Sequence, residues 1–338
     1  MQALMYEGPW RMPLAEVPTP RPGPGEVLVR VRAAGICGSD VHGFTGSTGR
    51  RQPGIVMGHE FCGEVAEVGP EVADLAPGAR VVVQPIVSCG HCPPCRAGRP
   101  NLCLHRRGIG WSVDGGYAEC TVAPRANVLP LPPEVDDTLG ALTEPVAVAL
   151  RAANLTPLPA LETVAVVGAG PIGLLCVLAL RLRGAGRIIV SDLSERRLAL
   201  ARRLGADLTV NAREADPVEV VRAETGGLGA AAVLEAVGAN ASVQQSVRMA
   251  ARGGHVTWVG NAAPTVELPM QEIVTGELTV RGTYAFVEEF PRALEALASG
   301  RLDPRPLIER VAPLAEGPGL IHALADGSLD AVKVVLTP

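Results

Sequence analysis

Cys89, Cys92, Cys95 and Cys103 follow the spacing C-x2-C-x2-C-x7-C, close enough for one loop to wrap a tetrahedral ion with four thiolates. Zinc suits that donor set. Four thiolates leave no open coordination position, so the expected role is to stabilise a lobe, about residues 86–106, rather than to react. A zinc ribbon that binds nucleic acid is the rival reading. Against it, Gly90, Pro93, Pro94, Gly98 and Pro100 build a compact loop without a recognition helix, and only Arg96, Arg99, Arg106 and Arg107 lend positive charge. His91 and His105 flank a shell that the thiols already complete, and read as loop residues.

A second chemistry is written in Val164-Ala165-Val166-Val167-Gly168-Ala169-Gly170-Pro171-Ile172-Gly173, a glycine triplet between an apolar strand and an apolar helix. Gly168 permits a tight turn, Gly170 lets backbone approach a pyrophosphate, and Gly173 allows close helix–strand packing, while the helix N-terminus offers partial positive charge. Asp192 follows the strand Arg187-Ile188-Ile189-Val190, where a carboxylate can bond both ribose hydroxyls and so favours NAD over NADP. Asp192 has a second reading as a helix N-cap before Leu193-Ser194-Glu195. Arg196 and Arg197 lie where they could meet a 2′-phosphate or stand exposed on a first helical turn. The expected cofactor contacts are Gly168, Gly170, Pro171, Ile172, Gly173, Asp192, Arg197, Val237, Val259 and Gly260.

The elements that must position these groups fall into two patterns. Up to about residue 145 the chain reads as short strands between turns: Glu26 to Val31, Phe61 to Val68 and Arg80 to Gln84. From about Leu161 apolar strands alternate with helical stretches: Val164–Val167, 171–183, Arg187–Val190, 194–204 and His255–Val259. A parallel sheet is expected there. Then come an amphipathic stretch, Glu288 to Ser299, a helix near 315–326 and a strand Val332–Leu336, a tail that returns to the first domain. Asn154 to Pro159 is the expected connection.

The 338 residues suffice for two cores. A net charge of −5 with both signs interspersed, and no basic run with interleaved aromatics, argues against a nucleic-acid partner. The start, Met1-Gln2-Ala3-Leu4-Met5-Tyr6-Glu7, lacks the pattern of a secretory signal, which makes cytoplasmic residence the default. The longest uncharged run, Val164 to Leu180, falls short of the roughly 20 residues of a membrane span and is broken by glycine and proline. In such a compartment eight cysteines point to metal rather than disulfides. Lys333, the one lysine, reads as a mark of compositional bias without mechanistic weight.

Two further segments, Gly35-Ile36-Cys37-Gly38-Ser39-Asp40-Val41-His42 and Gly58-His59-Glu60, lie too far apart for spacing to join them. Taken in order with the cysteine loop and the glycine triplet, they resemble the zinc-containing medium-chain alcohol dehydrogenases over essentially the whole chain. The resemblance implies a GroES-like β-rich catalytic domain, residues 1–148 and 287–338, and a Rossmann doubly wound parallel-sheet domain, 149–286, with the active site in the cleft between them. It implies Cys37 and His59 as ligands of a catalytic zinc, with Glu60 beside the metal as ligand or exchanging partner. Many members of that family use a second cysteine where this chain has Glu144, and a carboxylate there is similar to the sorbitol, threonine and glucose dehydrogenase branches.

The implied activity is hydride transfer between NAD and a secondary alcohol or polyol, with zinc stabilising the alkoxide. Ser39 takes the hydroxyl proton and His42 passes it towards solvent; His42 has a second reading as a surface histidine. Asp40 orients His59 or caps a turn. Cys62, Cys120 and Cys176 read as small core residues, Cys62 with a residual reading as a ligand. Trp111, Phe44 and Tyr284 line the substrate cleft or simply pack, and Arg50 and Arg51 meet an anionic group or stand solvated. A homo-oligomer, tetramer or dimer, is implied by the resemblance alone. The competing functions are a non-catalytic binding or structural protein on this scaffold, an NADP-preferring aldehyde or ketone reductase, and a zinc-independent quinone or enoyl reductase, which Cys37 and the thiolate cluster disfavour.

Overall fold

The computed structural model describes residues 1–49, 51–158 and 162–338. Arg50, and Pro159 of the expected connection, lie outside them. The chain forms two compact units: Met1–Glu144 with Phe290–Gly300 and Ile308–Pro338, and Pro145–Glu289 with Arg301–Leu307.

In the first unit the main sheet runs Val128–Pro130, Arg80–Val83, Glu60–Val68, Glu26–Gly35, Lys333–Thr337, Ile308–Pro313. Glu26–Gly35 extends past the expected Val31 because its character changes along its length. Arg30 and Arg32 face solvent between Val29, Val31 and Ala33, whereas Ala33, Ala34 and Gly35 are buried in succession. Its first half pairs with Cys120–Pro124, while Ala34 and Gly35 pair with Leu336 and Val335 of the C-terminal strand. On its other side Gly35 pairs with Glu60. Leu4, Val29, Phe61, Tyr117 and Leu336 belong to the core beneath.

In the second unit six strands lie parallel in the order Leu208–Asn211, Arg187–Asp192, Thr163–Val167, Ala230–Glu235, Ala250–Trp258, Thr279–Gly282. This is the doubly wound order of a Rossmann domain. Val164, Val166, Ile188, Val190, Ala232 and Leu234 are almost wholly buried, as expected of parallel strands covered on both faces. The order reverses between Thr163–Val167 and Ala230–Glu235, and the crevice beyond the carboxyl ends at such a point is where open α/β sheets bind ligands. No helix among the described residues is long and apolar enough to cross a membrane.

Candidate functional site

Cys37 lies two residues beyond the central strand Glu26–Gly35 and is the N-cap of the helix Gly38–Phe44; Glu60 opens the neighbouring strand and His59 directly precedes it. The strand pairing therefore brings together residues that are far apart in the chain. One ligand atom from each of Cys37, His59 and Glu60 lies within 4.8 Å of the others. Thiolate, imidazole and carboxylate at that separation suit a zinc ion that keeps one position open. Ser39 Oγ donates to Cys37 Sγ at 3.4 Å. Ser39 and His42 are exposed and three residues apart on the helix, hence on one face, while Asp40 on the other side is fully buried.

Asp40 does not cap the helix, whose N-cap is Cys37. Its Oδ1 lies 3.3 Å from His59 Nδ1 and accepts from Arg51 at 3.1 Å, and its Oδ2 accepts from Tyr117 at 2.8 Å. Burial works against the Asp40 charge, but His59, Arg51 and Tyr117 outweigh it and hold the carboxyl well below its usual range. His59 Nδ1 faces Asp40 Oδ1 as a close charge contact without hydrogen-bond geometry, which leaves Nε2 as the nitrogen available to a metal. The ring of Trp111 stands edge-on to His59 with centroids 5.6 Å apart. Phe44 is buried against Trp10 and belongs to the core. Cys62 donates its thiol to Asp137 O at 3.1 Å and is pushed up by burial, so it remains a core thiol.

Two basic residues need correction. Lys333, read from sequence as without mechanistic weight, is 1% exposed, and its Nζ donates to Glu60 Oε2 at 2.7 Å, Oε1 at 3.0 Å and Ile36 O at 3.0 Å. The strands that carry Lys333 and Glu60 flank the central strand, so the pair closes over Gly35. A Cβ on Gly35 would sit 2.3 Å from Glu60 Oε2, which is why glycine stands there. Arg51, read as most simply solvated, has a side chain only 8% exposed. Neither burial was visible from the sequence, since each depends on which strand or helix packs alongside.

Glu144 lies in the first turn of Thr143–Leu155, outside the compact set of Cys37, His59 and Glu60. Burial pushes its carboxyl up to about 7, with His59 opposing the rise and Glu60 adding to it. In protein lacking metal, its contribution to stability is therefore complete below its ordinary value of 4.5 and lost as pH rises through about 7. Between about pH 5 and pH 8 the melting temperature of metal-free protein should fall more steeply than that of metal-free Glu144→Gln. Parallel curves would contradict this.

In the lobe, Cys89, Cys92, Cys95 and Cys103 offer four sulfurs within 4.8 Å of one another. Zn–S bonds of about 2.3 Å in a tetrahedron place sulfurs about 3.8 Å apart. Cys92 Sγ lies 3.4 Å from Cys95 Sγ and 3.9 Å from Cys103 Sγ, so the set fits zinc. Backbone N–H groups of Cys89 and His105 donate to Cys103 Sγ at 3.3 Å, and the Cys89 donor leads in holding that thiol below its ordinary value. The His91 ring turns to Cys89 O, 2.8 Å away, and stacks on His105.

The glycine turn follows Thr163–Val167. Gly168 has φ +97°, and a Cβ on Gly173 would lie 1.8 Å from Gly168 O, so neither position accepts a side chain. A Cβ on Gly170 would meet nothing within 4 Å: the space beside the N-terminus of Pro171–Leu182 is open, as a pyrophosphate cradle requires. Asp192 ends its strand, its Oδ2 accepting from Ala169 N at 2.7 Å and its Oδ1 from Ser194 N at 2.8 Å. Ser194, not Asp192, caps the next helix, through Arg197 N. Ile172 lies within the first turn of Pro171–Leu182. Val237, Val259 and Gly260 follow the carboxyl ends of their strands. Glu235, which sequence reasoning missed, ties these loops: its Oε1 accepts from Val237 N and Gly238 N at 2.8 and 2.7 Å, and its backbone oxygen from Val259 N and Gly260 N. A buried carboxylate serving backbone donors carries no sequence signal of its own.

Residues 23–133 match the family model "Alcohol dehydrogenase GroES-like domain" and residues 171–299 the model "Zinc-binding dehydrogenase". The chain is 34% identical to a sorbitol dehydrogenase of Halalkalibacterium halodurans, covering 100% of this chain and 99% of the relative. Among solved structures, a zinc-binding dehydrogenase of Sinorhizobium meliloti bound to NADP is 38% identical with a TM-score of 0.94, covering 100% of this chain and 99% of that one. An alcohol dehydrogenase of Escherichia coli complexed with NADH is 32% identical with a TM-score of 0.93, over 100% and 99%. Full-length identity of this order, with two models matched in chain order, means that the chain belongs to the zinc-binding medium-chain alcohol dehydrogenases, NAD(P)-using oxidoreductases.

Proposed function

We propose that the protein oxidises a secondary alcohol or polyol with NAD, reversibly, using one zinc at Cys37 and His59 and a second, structural zinc at Cys89, Cys92, Cys95 and Cys103. The observation that carries the reading is the convergence of Cys37, His59 and Glu60 within 4.8 Å, beside the Ser39 hydroxyl. Glu60 and Glu144 supply the carboxylate to that ion in exchange. When bound, zinc polarises the substrate hydroxyl and NAD accepts the hydride.

Ser39 is placed to hold the substrate hydroxyl and accept its proton, and His42, exposed on the same helix face, hands that proton to solvent. Asp40 keeps the His59 ring in one orientation. Gly168, Gly170, Pro171, Ile172 and Gly173 cradle the pyrophosphate, Asp192 takes the adenosine ribose hydroxyls, and Arg197, Val237, Val259 and Gly260 line the remaining contacts. The carboxylate at position 144, and the sorbitol dehydrogenase relative, support a polyol, diol or sugar alcohol over a simple primary alcohol. Eight cysteines, five of them assigned to zinc, suit a reducing compartment such as the cytoplasm. A homo-oligomer, dimer or tetramer, goes with the family.

NAD and NADP reduction measured against polyols, vicinal diols, threonine and sugar-alcohol phosphates tests the reading. Turnover with a polyol or diol and NAD is expected. Turnover with NADP alone, or with none of the panel, would contradict it.

A further inference from the structure

Arg51 belongs to neither metal set nor to the cofactor turn, yet its buried side chain ends on the carboxylate behind His59. One guanidinium nitrogen donates to Asp40 Oδ1 at 3.1 Å, the oxygen that also lies 3.3 Å from His59 Nδ1. Along the way the side chain crosses Gly43: a Cβ there would lie 2.7 Å from Arg51 Cγ and 3.1 Å from its Nε. Gly43 is part of the helix Gly38–Phe44, which also carries Ser39 and His42. Nε is shielded from solvent and has no partner among the described residues. A guanidinium buried with an unmet donor is a poor way to gain stability, since an apolar chain of similar length would fill the space without that cost. What an apolar chain could not supply is the donor to Asp40.

We infer that Arg51 is a positioning residue for the zinc site: it clamps Asp40 towards His59 Nδ1 and pins the helix bearing Ser39 and His42. With Tyr117 holding Oδ2 and Arg51 holding Oδ1, the carboxylate has one orientation, so His59 keeps Nε2 for the metal. Without Arg51 the plane of Asp40 is fixed by Tyr117 alone, and the imidazole loses its set direction. The inference rests on the zinc reading proposed above, but its test does not need a known substrate.

The test is zinc release to a chelator, followed by native mass spectrometry, for the full-length parent, Arg51→Met, Arg51→Gln and Arg51→Lys. The parent should start with two zinc ions and Arg51→Met should release one of them about 10-fold faster, the four-cysteine zinc staying at the parent rate. Arg51→Lys, which restores a single cationic donor to Asp40, should recover most of the difference. Arg51→Gln, shorter, neutral and polar, serves if Arg51→Met does not fold. Parent-like release of both ions in the neutral variants would overturn the inference, as would loss of both ions together with cooperative unfolding, which marks a purely structural role. A parent with zinc at the four cysteines alone would overturn the proposed function and this inference with it.

Discussion

Lys333→Met is expected to lower the unfolding free energy by about 3–5 kcal/mol, a large share of the stability of an ordinary domain. The reason is not the strength of the ion pair but what its loss leaves behind. Glu60 is 1% exposed and hydrogen-bonds Lys333 through both carboxylate oxygens. Burial alone would push the Lys333 ammonium down, yet Glu60 outweighs that and raises it. Removing the ammonium strands the carboxylate in the core; removing the carboxylate strands the ammonium. Replacing both by Lys333→Met with Glu60→Gln should therefore restore much of the stability lost in Lys333→Met. Chemical denaturation of the three variants checks this, and a double variant as unstable as the sum of the singles would contradict it.

Cys37→Ser is expected to reduce kcat by about 1000-fold or more, about 4 kcal/mol of barrier, with little change in stability. Cys37 is the one thiol of the compact set and the partner of the Ser39 hydroxyl at 3.4 Å, so the substitution removes a ligand and the anchor of the proton acceptor together. It lies at a helix N-cap without a side-chain capping bond, so the fold does not depend on its sulfur. Steady-state kinetics beside thermal unfolding separates the effects. A variant that unfolds instead would show Cys37 to be structural.

What the sequence made legible follows from how local each signal is. The four cysteines and the glycine triplet are contiguous devices whose spacing alone states the geometry, and the strands around Val164 and Ile188 declare themselves by unbroken apolar runs. Cys37, His59 and Glu60 are brought together by the antiparallel pairing of two strands distant in sequence, Gly35 against Glu60, so resemblance had to join them. Lys333 was beyond reach because its meaning depends on the register of the last strand, Val335 against Gly35, set 300 residues away in the chain. Arg51 is close to Asp40 in sequence, but a charged residue in a glycine-rich loop looks solvated until the helix it crosses is known. Asp192 was read as following a strand that stops at Val190, whereas the strand runs on to Asp192, and the cap it was offered belongs to Ser194, whose side chain accepts from Arg197 N.

The most direct test is the zinc content of intact protein by native mass spectrometry, parent beside Cys37→Ser. Two ions per chain are expected in the parent and one in Cys37→Ser, the remaining ion lost only when the four-cysteine lobe is disrupted. One ion in both proteins would contradict it.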